Sequence, residues 1–189
     1  DRDRHRAVRP VEIPASGHGC GQVHDAGHPS VLAERAHILF VQEEEQLILQ
    51  TQIARTYGLR RDFSRAREIL ASIAPSEETA TPEAKARYFL ELGRTFASTT
   101  HTKETQTPED LEKARELFLR AHTIAAGAKL DFLAIDALHM MPCVDSEPDR
   151  QLEWNERALS YMERSDQAEA KKWEASLRNN VGYAKHLKG

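Results

Sequence analysis

The sequence predicts an all-α protein built from antiparallel helix hairpins packed in chain order. Three observations point there. Apolar residues recur at helical spacing in segment after segment, each stripe one-sided. Two threonine–proline pairs, Thr81-Pro82 and Thr107-Pro108, stand where such segments begin, a capping residue followed by the imino acid that suits the first helical position. Runs alternating Val, Ile, Thr and Tyr, the mark of strands, are missing. An isolated amphipathic helix is marginal in water, so each must pack on its neighbours, and sequential hairpins achieve this with short connections.

Residues 1–29 stand apart. They are rich in Arg, His, Gly and Pro, lack apolar periodicity, and read as an irregular or flexible extension. The helical domain is expected over 30–189. Ser30 offers a cap for a helix in which Leu32, Ala36, Leu39 and Phe40 share a face. The run continues without Gly or Pro to Gly58, as one long helix or as two tightly joined. The next helix carries Phe63, Ala66, Leu70 and Ile73 on one side and stops at Pro75. The helix after Thr81 shows Phe89, Leu92 and Phe96. The one after Thr107 has Glu109 and Asp110 to complement its dipole, aligns Leu111, Ala114, Phe118, Ala121 and Ala125, and is expected to end at Gly127. A segment from Leu130 is stopped by Pro142, another covers Gln151 to Ser165, and a last helix runs from near Asp166 with Trp173, Leu177, Val181 and Ala184 on one stripe.

Two hairpins share a pattern. "IARTY…DFSRAREIL" and "LGRTF…LEKARELF" each pair an aliphatic residue with a small one, Ala54 or Gly93, and place an aromatic three residues on, Tyr57 or Phe96. Their second helices bring Ala66 with Leu70 and Ala114 with Phe118. Small residues suit the places where helices touch, and large ones fill the gaps between hairpins. This resembles the tetratricopeptide repeat, and among its members bacterial proteins with no assigned activity. The second hairpin departs from the pattern with a longer loop, His101 to Thr107, and the third is weaker, cut early by Pro142. The resemblance covers about residues 45–189 and implies a right-handed α-solenoid. It sets Gly189 at the turn of a last, truncated repeat, with Lys185 where an aromatic is expected. It therefore leads us to expect either a longer array or self-association through an incompletely covered C-terminal helix.

The resemblance also implies a concave groove, lined by the first helices of the hairpins, that binds a peptide or a partner helix. By slot its lining is Gln52, Arg55, Arg87, Glu91, Arg94, Asn179, Asn180, Tyr183 and His186. Arg55 and Arg94 would stand side by side and suit a carboxylate or acidic segment, or would instead pair with Glu91 and other acids of the same surface. Asn180 can hold an extended backbone by its donor and its acceptor. The Lys and Asn pattern of the family's carboxylate clamp is not found.

These features predict an interaction scaffold without catalysis, cofactor or metal. A net charge of −4 gives no reason to expect nucleic acid or an anionic membrane. No apolar run approaches the roughly 18 residues that span a bilayer. The 2 cysteines, Cys20 and Cys143, suit a reduced cytoplasmic setting rather than a disulfide framework. The alternative is a metal-binding or hydrolytic regulator. His18, Cys20, His24 and His28 are possible zinc ligands at no standard spacing. Asp136 and His139 lie three apart on one helix, near Cys143, as a possible acid–base pair.

Overall fold

The computed structural model describes residues 29–76 and 78–188, and among them all regular structure is helical. The helices are α1 (Pro29–Leu59), α2 (Phe63–Ser72), α3 (Pro82–Arg94), α4 (Pro108–Gly127), α5 (Asp131–Met140), α6 (Pro148–Arg164), α7 (Ala168–Lys171) and α8 (Glu174–Lys188). Single 3-10 turns cover Lys103–Thr105 and Met141–Cys143. Residues 37–189 form one compact unit, and what is described of 1–36 is the start of α1. The expected extension over 1–29, with His18, Cys20, His24 and His28, lies outside the described residues but for Pro29, and so does Gly189.

The start signals work as read. Thr81 accepts from the amide of Ala84, and Pro82 opens α3. Thr107 accepts from the amide of Asp110, whose carboxylate accepts from the amide of Thr107 in return. Asp62, accepting from the amide of Arg65, caps α2. The 30–59 stretch is one continuous helix. It begins at Pro29, one residue before the cap expected at Ser30. Its expected inner face is not covered among the described residues: Leu32 is 58%, Leu39 60% and Phe40 39% exposed.

α1 ends at Leu59, beside Gly58, and α4 ends at Gly127, as expected, and the left-handed conformations follow at Arg61 (φ 64°) and Lys129 (φ 55°) rather than at a glycine. There the hydrogen bonds of Asp62 to Tyr57 and of Leu130 to Ala125 close the helix ends, which outweighs the modest strain of a side chain at positive φ. α3 ends at Arg94 rather than running on through Ser98. The freed carbonyl of Thr95 accepts from Arg67 at 2.9 Å and from His101 at 3.1 Å, while the His101 ring stacks on Phe63 at 3.8 Å. The long loop is thereby fastened to α2. The last segment is two helices, broken at Lys172 and Trp173, which turns Trp173 onto Phe132 and His139.

The core sits around α5, which packs on α3, α4, α6 and α7 and buries seven of its ten residues. A helix apolar on nearly all sides belongs in the interior. α4 lies between α3 and α5 and buries Ala114, Phe118, Ala121 and Ala125. α8 packs on α6. Its stripe is covered within the chain: Leu177 is fully buried, and Val181 and Ala184 are each 8% exposed. The missing cover expected for that face is therefore corrected. Its outward residues, Glu174, Arg178, Asn179, Lys185 and His186 among them, are polar and exposed.

α3 and α4 approach closely at Gly93. A Cβ on Gly93 would lie 2.6 Å from the ring of Phe118, which is fully buried and has nowhere to move. Gly93→Ala should therefore destabilise the protein by roughly 1–2 kcal/mol, overpacking outweighing the helix-propensity gain of alanine. Chemical denaturation of the two proteins measures it, and an unchanged or raised stability would contradict the packing described.

Candidate functional site

A cavity of about 500 Å³ opens where α1, α3 and α5 end and α6 and α8 face them. Its wall is made by chain order. α1 brings Arg55, α3 brings Glu91 and Arg94, α5 brings Asp136 and His139, α6 brings Asn155, and α8 brings Asn180 and Tyr183. The turn after α3, Ser98 to Thr100, and the link residue Trp173 complete it.

One ionic chain crosses three helices. Glu91 Oε1 accepts from Arg55 Nη1 at 2.9 Å and from Arg94 Nη1 at 2.5 Å. Arg94 Nη2 reaches Asp136 Oδ1 at 2.5 Å. The side chains of Glu91, Arg94 and Asp136 are 5%, 12% and 10% exposed, whereas that of Arg55 is 39% exposed. Burial works against the Arg94 charge, but Asp136 and Glu91 overcome it and hold the guanidinium above its ordinary value. The four formal charges cancel. The arginine pair is therefore already engaged, and only Arg55 turns part of its guanidinium to solvent.

A polar cluster lies beside this chain. Nδ1 of His139 and Nδ2 of Asn180 are 3.2 Å apart, and the His139 ring lies 5.0 Å from that of Trp173. Burial holds the His139 imidazole below its ordinary value, with Asp136 raising it and Arg94 lowering it by lesser amounts. Burial pushes the Cys143 thiol up, the reverse of what a nucleophile needs. Three buried polar atoms have no hydrogen-bond partner among the described residues: Glu91 Oε2, Asn155 Oδ1 and Trp173 Nε1. All three residues line this cavity.

Of the nine residues expected in the groove, Arg55, Glu91, Arg94, Asn180 and Tyr183 line it. Gln52, Asn179 and His186 are exposed and outside the lining, and Arg87 pairs with Glu83 along its own helix at 2.8 Å. Asp136 and His139 reach the cavity, yet Asp136 is held by Arg94 and His139 faces Asn180. Asn155, Trp173 and Ser98 to Thr100 were not legible as site residues. An asparagine on the apolar stripe of Trp154, Ala158 and Met162 was the one available signal, since a buried amide needs a partner.

No protein-family model matches the chain, and neither a curated protein nor a solved structure does. Among the described residues, no three His, Cys, Asp or Glu side chains gather as metal ligands, and no helix is long and apolar enough to cross a membrane.

Two outcomes follow from these electrostatics. Arg94→Ala leaves Glu91 and Asp136 buried without their shared partner, and should cost about 3–5 kcal/mol in denaturant unfolding. Burial also lowers the proton affinity of His101, His122 and His139 in the folded chain. The unfolded chain then binds more protons than the folded one just below the ordinary histidine value, so stability is full above about pH 6.5 and falls as the pH drops through that window. A thermal melt series from pH 7.5 to 5.5 checks the sign, and His139→Gln should flatten part of the slope.

Proposed function

We propose that residues 37–189 are a tetratricopeptide-like interaction module, a right-handed stack of hairpins that binds a segment of another protein in its cavity without catalysis. The observation that carries this reading is which helices reach the cavity. α1, α3 and α5, the first helices of the α1–α2, α3–α4 and α5–α6 pairs, all contribute, as does α8; of the second helices α2 and α4 contribute nothing and α6 enters through Gln151 and Asn155. A wall supplied mainly by first helices is what the repeat resemblance implies for a concave groove. The Gly93–Phe118 contact supports it further, since these residues occupy the small and large slots of the repeat pattern.

The chemistry of the wall agrees with binding. Arg55 spends one Nη on Glu91 and presents the rest at the mouth, where an acidic side chain of the partner would meet it. Tyr183, 62% exposed, adds an aromatic face beside it. Asp136, His139 and Cys143 are held by Arg94, by Asn180 and by burial, which speaks against their acting as an acid–base or nucleophilic set. The free thiol of Cys143 suits a reduced cytoplasmic setting.

The test is selection of a displayed random-peptide library on the wild type and on an Arg55→Gln/Tyr183→Ala variant, which avoids setting a second carboxylate against Glu91, with thermal denaturation to check that the variant folds. Enriched peptides should bind the variant at least about tenfold more weakly. Absence of enrichment, or equal binding to both proteins, would remove the groove reading.

A further inference from the structure

The groove reading says where a segment binds, and the unpaired atoms say what part of it goes deepest. Resting on that reading, we propose that the depth of the cavity is a subsite for an uncharged carboxamide, the side chain of a glutamine or asparagine in the bound segment.

The three unpaired atoms come from three separate parts of the chain, α3, α6 and the link before α8, and all belong to residues that line one cavity. Glu91 and Asn155 are each 5% exposed, so water does not freely serve them. A buried polar group without a partner is destabilising, and native proteins hold few. Together they ask for two donors, for Glu91 Oε2 and Asn155 Oδ1, and one acceptor, for Trp173 Nε1.

A carboxamide carries two N–H donors and a carbonyl acceptor, which is that set. A carboxylate has no proton to give and would face two acceptors. An ammonium or guanidinium gives protons but cannot accept from Trp173, and it would bring positive charge beside Arg55 and Arg94. Because the ionic chain is already balanced by Glu91 and Asp136, a neutral group disturbs it least. If the amide of Asn155 turns over, it offers a donor in place of its acceptor, and a carboxamide can still pair with it. The volume of about 500 Å³ admits such a side chain with its flanking backbone.

The protein supplies its own reporter. Trp154 Nε1 already donates to Asp145 Oδ2 at 2.5 Å, whereas Trp173 Nε1 is unpaired, so the two indole N–H signals in a nitrogen-15 NMR spectrum separate site from background. The probe is N-acetyl-glutamine methylamide, with the glutamate and lysine counterparts as controls. We expect the glutamine probe to move the Trp173 signal saturably and the Trp154 signal little, with affinity roughly tenfold above either control. Asn155→Leu should abolish the response while melting no lower than the wild type, because it removes an unpaired acceptor. Should that variant not fold, Asn155→Ala removes the same acceptor without added bulk and should also lose the glutamine response. Equal affinity for all three probes, an unmoved Trp173 signal, or retained binding in the Asn155 variants overturns the proposal. If library peptides depend on Arg55 and Tyr183 while the glutamine probe leaves Trp173 unmoved, the carboxamide subsite falls and the groove stands. If no library peptide depends on the rim, the groove reading itself falls.

Discussion

The ring of Phe118 lies against the bare backbone of Gly93, and that contact fixes how closely α3 and α4 pack. Phe118 is fully buried, and even one methyl group on Gly93 would sit 2.6 Å from it. With α3 and α4 held so close, α5 can pack on α4 and still reach α3, which brings Asp136 within 2.5 Å of Arg94. A wider spacing would leave two charged groups buried and apart, the costliest arrangement available to them. The close approach therefore comes first physically, and the electrostatics of the cavity depend on it.

Arg94 is the joint between those two levels. It is buried among groups of opposite sign, and the carboxylates of Glu91 and Asp136 are what make its burial tolerable. Glu91 has a second partner in Arg55, so α1, α3 and α5 are tied by one chain of ion pairs at their cavity ends. Single exposed ion pairs contribute little, but a buried and mutually satisfied set fixes which helix faces meet. A second set orders the turn between α5 and α6, where Asp145 accepts from Arg115 and Trp154.

Most of the helical segmentation was legible in the sequence, because caps and apolar spacing are local signals. Thr81 and Thr107 announce α3 and α4, and Ala114, Phe118, Ala121 and Ala125 mark the buried face of α4. What failed was whatever depended on distant contacts. Gly58 and Gly127 do mark helix ends but not the left-handed positions, which fall two to three residues on, at Arg61 and Lys129, where the amides of Asp62 and Leu130 close the turns. The last helix looked continuous, yet it breaks before Glu174, where Trp173 is drawn onto Phe132 and His139. The cavity was legible at Arg55, Glu91 and Arg94, which the sequence had already set on one wall. It was not legible at Asn155 and Trp173, which reach that lining only through the packing of distant helices.

That difference has a physical meaning. Residues chosen for folding tend to satisfy one another, and each then shows a partner in the folded chain. Glu91 Oε2, Asn155 Oδ1 and Trp173 Nε1 break this rule together and in one place. A leucine at 155 would continue the apolar stripe of Trp154, Ala158 and Met162 without leaving an acceptor unpaired. A chain that keeps asparagine there gives up stability that a simple substitution would restore. Such a concession is expected where a group is reserved for something the folded chain alone does not contain. The cavity is thus defined less by its size than by the mismatch between a balanced set of charges and an incompletely satisfied set of hydrogen bonds.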